Sequence, residues 1–130
     1  MKNNFYNLVS TLKNGMLVKK AFVYQKMEKN SEELLNILWN EGFIMGYKIL
    51  KTEKQFDVLK VFLKYKNQNS VINSIKCIST PGLRVHCSLK NLWKLSFIQG
   101  LIIVSTNQGL KTILECKKLK LGGELILLIK

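Results

Sequence analysis

Residues 100–109 read Gly-Leu-Ile-Ile-Val-Ser-Thr-Asn-Gln-Gly, an apolar run followed directly by a polar one. Leu101 to Val104 are almost all strong β-formers, which predicts a buried strand. Asn107-Gln108-Gly109 then predicts a tight turn. Hydroxyl and amide groups at such a turn suit contacts with RNA sugars, phosphates and base edges, although a polar turn by itself is usually only a turn. The candidate contact residues here are Ser105, Thr106, Asn107, Gln108 and Gly109.

A second candidate site is the segment 117–124, Lys-Lys-Leu-Lys-Leu-Gly-Gly-Glu. Paired glycines let another backbone approach closely, and the lysines before them can neutralise phosphate. The alternative is a helix stop followed by the last strand, Glu124 to Ile129, with the lysines simply exposed to solvent. The candidate residues of this segment are Lys117, Lys118, Lys120, Gly122, Gly123 and Glu124.

The first half of the chain predicts the element order αβαββ. Apolar spacing predicts a helix over 4–14 that ends at Asn14-Gly15, followed by a short strand over 21–24. A second helix is predicted from a capping box at Asn30 and Glu33 to a C-cap at Gly42, with Leu34, Leu35, Leu38 and Trp39 as its apolar stripe. Segments 43–50 and 55–65 read as two strands. Core positions are predicted for Trp39, Phe56 and Phe62.

The second half predicts mostly strands with short helices. A polar junction at 66–70 leads to an apolar segment over 71–78, a turn at 79–82 and a strand over 83–86. A helical turn over 89–95 and a short helix over 111–118 flank the strand at 101–104. We therefore expect an α+β fold of two small lobes, an N-terminal αβαββ lobe over 1–65 and a C-terminal β-rich lobe over 66–130.

The charge of the chain predicts a polyanionic partner. Among 130 residues, 21 are basic and 8 are acidic, giving a net charge of +13. Residues 1–65 carry a net +5 and residues 66–130 a net +8. Nucleic acid is the commonest partner of such a surface, since replacing its counterions favours binding. A solvated basic face is the alternative for any single run of lysines.

Several classes of function are disfavoured by what the sequence contains. Cys77, Cys87 and Cys116 are odd in number and form no CxxC pair, which argues against disulfides and a zinc site. His86 and Cys87 are adjacent on a predicted strand, so they point to opposite faces and make a poor catalytic pair. No apolar run reaches the length of a membrane span, and no import signal is visible. We predict no enzyme, no cofactor, no metal and no small-molecule substrate.

Taken in order, several motifs resemble those of the small-subunit ribosomal protein S-eight family. They are 79–85 (Ser-Thr-Pro-Gly-Leu-Arg-Val), 100–109 and 121–124, together with 13–15 (Lys-Asn-Gly) and 41–44 (Glu-Gly-Phe-Ile). The resemblance extends over essentially the whole chain and is most specific in its last 52 residues. It implies a two-lobed fold that binds the central domain of small-subunit rRNA, chiefly through the C-terminal lobe, beside neighbouring small-subunit ribosomal proteins.

The resemblance adds site residues to those of the two C-terminal segments. It implies that Ser105, Thr106 and the Gly122-Gly123-Glu124 turn contact RNA, with Glu124 accepting from base or sugar donors or holding the amides of its own loop. The further candidates are Pro81, Gly82, Arg84, Lys13 and Asn14.

The chain departs from the family pattern at a few positions. Asn107 replaces a Ser, Thr80 replaces an Arg, and Thr11 and Lys13 replace an Arg-x-Arg pattern. With the Lys- and Asn-rich usage, these departures predict a mitochondrial ribosome and an organelle-encoded protein; a plastid or the bacterial cytoplasm is the alternative. The rival functions are an RNA chaperone or regulator outside the ribosome and a peripheral protein on anionic membrane.

Overall fold

The computed structural model describes residues 3–53, 57–79, 82–94 and 100–130. The chain divides into two compact units, an N-terminal unit that ends at Ile72 and a C-terminal unit from Asn73 to Lys130. The division falls seven residues beyond the end of the predicted N-terminal lobe. The reason is a small hairpin after residue 64, because the Tyr65 hydroxyl donates to the carbonyl of Lys20 and the Ser70 hydroxyl contacts Met16 Sδ.

The N-terminal unit has the predicted order αβαββ, followed by the hairpin. Its sheet is antiparallel, with strand order β1-β3-β2; α1 packs on β1 and α2 on β2. The hairpin pairs β4 with β5. The elements are α1 (Asn3–Leu17), β1 (Phe22–Lys26), α2 (Lys29–Asn40), β2 (Ile44–Leu50), β3 (Val58–Leu63), β4 (Tyr65–Lys66) and β5 (Asn69–Ser70).

Helix α1 continues through Gly15, where the sequence predicts its end. The glycine is buried against the sheet, and a Cβ on Gly15 would lie 2.5 Å from Val23 Cγ1 and 3.2 Å from Leu63 Cδ1. The residue therefore allows α1 to approach β1 closely and is not a helix stop. Leu12 and Leu8, about one and two turns earlier, are fully buried.

Helix α2 differs from its prediction in its N-cap and in the exposure of Trp39, the last residue of the predicted apolar stripe. Glu28 is the N-cap and makes no side-chain capping bond, so the predicted capping box at Asn30 is wrong. Gly42 takes a φ of +81° just after the helix, as predicted for a C-terminal glycine. Trp39 is 51% exposed, which contradicts the core position predicted for it. Phe62 is half-buried, and Phe56 lies outside the described residues.

In its described residues the C-terminal unit is mostly β with two short helices, as predicted. Its antiparallel sheet has the order β6-β10-β8-β9, and β7 also pairs with β10. Helix α4 covers one face around Ile102, Val104 and Leu125. The elements are β6 (Ile75–Cys77), β7 (His86–Cys87), α3 (Leu89–Lys94), β8 (Leu101–Thr106), β9 (Gly109–Thr112), α4 (Ile113–Leu119) and β10 (Gly123–Ile129).

Two predicted boundaries in the C-terminal unit are wrong. Of the strand predicted over 83–86, only His86 belongs to β7. The amide of Val85, one residue earlier, donates instead to the hydroxyl of Ser79. The helix predicted from residue 111 starts two residues later, because Lys111 and Thr112 pair with β8 as part of β9. Thr112 then caps α4 by accepting from the amide of Glu115.

We predict that Gly15→Ala destabilises the N-terminal unit. Alanine favours a helix over glycine by about 1 kcal/mol, but crowding in a packed core costs about 1–3 kcal/mol. The stiff side chain of Val23 cannot move aside cheaply, so the net change in the free energy of unfolding is a loss. Urea denaturation followed by circular dichroism measures it. Gly82→Ala is the control, because a Cβ there meets no atom within 4 Å; equal stability of both variants would contradict the packing argument.

Candidate nucleic-acid interface

The predicted turn and the predicted glycine pair come together at one end of the C-terminal sheet. Because β8 and β10 are antiparallel neighbours, the end of one lies beside the start of the other. Ser105 is directly opposite Glu124, and Glu124 is opposite His86 of β7. Directly opposed residues share a face of the sheet. The adjacent positions Val104 and Leu125 pack towards α4, so Ser105, Glu124 and His86 form a polar row on the other face.

Arg84 supplies the counter-charge of this polar row. Its guanidinium donates to the carboxylate of Glu124, with Arg84 Nη1 and Glu124 Oε1 3.2 Å apart. The side chain of Arg84 is 34% exposed and that of Glu124 15% exposed, so the cation is the more accessible partner. The pair therefore cancels the repulsion that a lone carboxylate would exert on phosphate and keeps a guanidinium at the surface.

The segment that carries Arg84 is held on β10 through a buried serine. The Ser79 hydroxyl donates to the carbonyl of Leu125 and accepts from the amide of Val85. The amide of Leu125 in turn donates to the carbonyl of Val85, at 2.8 Å. These bonds fix the backbone at Val85, directly after Arg84. Gly82 is exposed in the same segment, and Pro81 lies outside the described residues.

The turn after β8 is stabilised by its own threonine. Thr106 Oγ1 donates to the carbonyl of Gly109 at 2.8 Å and accepts from the amide of Gln108 at 3.1 Å. Gly109 has a φ of +102°, which favours glycine at the end of the turn. Asn107 and Gln108 are exposed at its tip. The hydroxyl of Thr106 is therefore committed to the turn, and the two amide side chains are offered to solvent.

Gly123 brings β10 against β8 at the start of the polar row. A Cβ on Gly123 would overlap the backbone oxygen of Ser105 and would lie 3.0 Å from Val104 Cγ1. The close backbone approach predicted for the glycine pair is confirmed at this position. Gly122 is exposed.

The three predicted lysines lie on α4 and at its C-terminus. Lys117 Nζ lies 4.8 Å from the ring centroid of Trp93, which is 56% exposed. Lys118 and Lys120 are exposed, and Lys120 closes the helix in the left-handed conformation with a φ of 56°. Among the described residues the ion pair of Glu124 is with Arg84 and not with these lysines. They add positive charge to the unit without joining the polar row.

Lys13 and Asn14 belong to the other unit. Both are exposed on α1, and Asn14 lines an open cleft of about 800 Å³ between α1 and β1. Lys20, Phe22 and Tyr24 line the same cleft. The two predicted residues therefore belong to a second candidate surface, on the N-terminal unit.

Cys87 and Cys116 are buried, and Cys77 is half-buried. Within the described parts of the chain, no cluster of three or more His, Cys, Asp or Glu residues could hold a metal ion. Burial raises the pKa of the Cys87 and Cys116 thiols, and nearby Glu115 raises that of Cys116 further. His86 is exposed while Cys87 is buried, which confirms that the two point to opposite faces. No helix in these ranges is both long and apolar enough to cross a membrane.

Comparison with known proteins identifies the family. The sequence profile described as Ribosomal protein S8 matches residues 3–129. Proteins named Small ribosomal subunit protein uS8 are 37% identical in Buchnera aphidicola subsp. Cinara cedri, over 97% of this chain and 95% of that protein, and 40% identical in Borreliella afzelii, over 92% and 91%. The one from Wigglesworthia glossinidia brevipalpis is 35% identical over 97% and 95%. The chain belongs to the ribosomal protein S8 family.

Three features of this S8-family chain were missed by sequence reasoning. Thr112 and Glu115 have capping-box spacing, a local signal that predicts the start of α4. The pairing of Arg84 with Glu124, 40 residues apart, and the role of Ser79 have no local signal, because both depend on the position of β10. Arg84 and Glu124 were predicted separately as contacts, and the structure joins them.

We predict that Gly123→Ala destabilises the C-terminal unit by about 2–3 kcal/mol, because the new methyl group must displace the backbone of β8. The shift would move Ser105 away from Glu124, so weaker protection of the Ser105 and Val104 amides is expected. Thermal unfolding and amide hydrogen exchange measure the two effects. Gly122→Ala, one residue earlier and exposed, is the matched control. Unchanged stability of Gly123→Ala would show that the strands can separate without cost.

Proposed function

We propose that this chain is a structural constituent of the small ribosomal subunit that binds the central domain of small-subunit rRNA and supports subunit assembly. The observation that carries the proposal is the polar row at the end of the C-terminal sheet, where Ser105, Gly123 and the Arg84–Glu124 pair meet in a member of the ribosomal protein S8 family. The relatives are named as small-subunit proteins, which supports the same role here.

The chemistry of the polar row suits a shaped RNA site. Hydroxyl and amide groups at Ser105, Asn107 and Gln108 can bond sugar 2′-hydroxyls and base edges, which carry the specificity of RNA recognition. The Arg84 guanidinium has further N–H groups that can donate to phosphate while its hydrogen bond to Glu124 Oε1 keeps that carboxylate in place. The lysines of α4 supply long-range attraction, and the total charge of +13 makes this attraction strong at low salt.

The role we propose is non-catalytic. The thiols of Cys87 and Cys116 are buried, with pKa values raised above their ordinary range, so burial disfavours the reactive thiolate. Binding surfaces built from serine, glycine, lysine and one neutralised carboxylate need no proton transfer. Neighbouring small-subunit proteins are the further partners that we propose.

The compartment of this ribosome is a separate proposal. The mitochondrial prediction rests on the departures from the family pattern at Thr11, Lys13, Thr80 and Asn107 and on Lys- and Asn-rich residue usage. Residue usage reflects the base composition of a genome and not its compartment. The relatives compared above are bacterial, and they support the bacterial alternative. Mass spectrometry of small subunits purified from organelles and from whole cells of the source organism separates the two: a mitochondrial ribosomal protein is found with the organelle's subunits.

Sedimentation tests the proposed role as a whole. The chain should co-sediment with small ribosomal subunits through a sucrose gradient in moderate salt. A chain that stays at the top of the gradient while binding free RNA would be a regulator outside the ribosome. Binding to anionic vesicles without subunit association would instead indicate a membrane protein.

We predict that Ser105→Ala weakens binding to a central-domain rRNA fragment by about 0.5–1.5 kcal/mol, the value of one hydrogen bond. Thr106 is left intact because its hydroxyl stabilises the turn. Isothermal titration gives the affinity, and thermal unfolding checks the fold. Ser74→Ala is the control, an exposed serine of the same unit outside the polar row. Equal affinity of both variants would remove Ser105 from the contact.

We predict that Lys118→Gln lowers the salt dependence of the same binding by about 0.9 in the slope of log K against log salt, for one lost phosphate contact. The affinity ratio between rRNA sequences should stay constant, since a lysine contact with phosphate carries no base reading. Titrations between low and moderate salt measure the slope. Lys51→Gln, exposed on the N-terminal unit, is the control; an unchanged slope for Lys118→Gln would contradict the phosphate contact.

A further inference from the structure

The N-terminal sheet carries an unusual set of side chains on the face that the helices do not cover. Its covered positions, such as Val23, Leu59 and Val61, are buried. The alternate positions share the other face through the register Phe22↔Phe62, Tyr24↔Lys60 and Lys48↔Lys60. We call this set the aromatic–lysine face; it consists of Phe22, Tyr24, Lys48, Lys60 and Phe62.

The three rings of the aromatic–lysine face surround one ammonium group. Phe22 lies edge to face with Tyr24 at 5.5 Å and with Phe62 at 6.4 Å between ring centroids. Lys60 Nζ lies 4.1 Å from the centroid of Phe22, 5.3 Å from Phe62 and 5.9 Å from Tyr24. Tyr24 is 52% exposed and Phe22 39% exposed. The cation is therefore held at a surface where a large aromatic area remains open to solvent.

Strand β1, which carries Phe22 and Tyr24, also borders the cleft between α1 and β1. Phe22 and Tyr24 line this cleft of about 800 Å³ together with Asn14 and Lys20. A ligand that stacks on Tyr24 thus has an open space beside it, with an amide and a second ammonium group within the same lining. Aromatic stacking surfaces, cations and polar groups occur here together on one unit.

We propose that the aromatic–lysine face binds unpaired nucleotides of RNA. Tyr24, the ring farthest from the ammonium of Lys60, stacks on a base, and Lys60 and Lys48 neutralise the adjoining phosphates. Aromatic stacking together with basic residues is the general mode of single-strand recognition. Lysine is depleted in the centres of protein interfaces, so its central position here favours RNA over a protein partner. The bases of double-helical RNA are stacked on one another and cannot stack on a protein side chain, which restricts the ligand to loops, bulges or ends.

This proposal rests on the proposed function only in taking RNA as the partner, and it is tested on a different ligand. The probe is fluorescein-labelled decauridine, whose binding to the full chain is followed by anisotropy. Tyr24→Leu keeps an apolar strand residue and removes the stacking ring, and we expect about tenfold weaker binding. Trp39→Leu is the matched control, an aromatic of similar exposure on α2, and its affinity should match that of the unaltered chain. Thermal unfolding of both variants confirms that they fold.

A decamer of abasic ribose phosphate separates stacking from charge. The unaltered chain should bind it about tenfold more weakly than decauridine, and Tyr24→Leu should bind both equally. Equal binding of the two oligomers by the unaltered chain, or decauridine affinity of Tyr24→Leu within twofold of it, overturns the proposal and leaves the face to a protein partner. If the protein binds decauridine through Tyr24 but does not bind the central-domain fragment, the proposed rRNA target is refuted and the proposal for the aromatic–lysine face stands.

Discussion

The pairing of β8 with β10 is the interaction on which the C-terminal unit depends. Ile103 and Leu127 are directly opposite and fully excluded from solvent, so the two strands are fixed by apolar burial as well as by hydrogen bonds. Through β10 the same pairing positions β6 and β7, and through β8 it positions β9. Gly123 is required because a side chain there would meet the backbone of Ser105. The polar row exists only while these strands stay in this register.

Both units contain cationic side chains that are held in place by a neighbouring carboxylate or aromatic ring. Arg84 is bound to Glu124, Lys117 lies over Trp93, and Lys60 lies among Phe22 and its neighbours. Each arrangement keeps a positive charge at the surface and restricts its side chain before any partner arrives. Binding an anion at a pre-ordered cation then costs less conformational entropy than at a freely moving lysine.

Much of the fold could be predicted from local patterns. The order αβαββ, the strand at Leu101 and the C-terminal glycine at Gly42 each follow from propensity and spacing within a few residues. The errors occur where distant residues decide. Gly15 stays in α1 because Val23 and Leu63 leave no room for a side chain, and Trp39 remains half-exposed although it continues an apolar stripe.

For the candidate site, the sequence by itself determined which residue types were present and in what order: a polar turn after a strand, a glycine pair and a surplus of lysine. Its resemblance to a family also pointed to RNA. Only the tertiary structure decided that Ser105 is opposite Glu124, that Arg84 neutralises this carboxylate, and that Lys60 stands among three rings. The physical reason is that these contacts join residues far apart in the chain. Antiparallel strand register brings these residues together, and that register is fixed by the burial of the apolar residues on the covered face of each sheet.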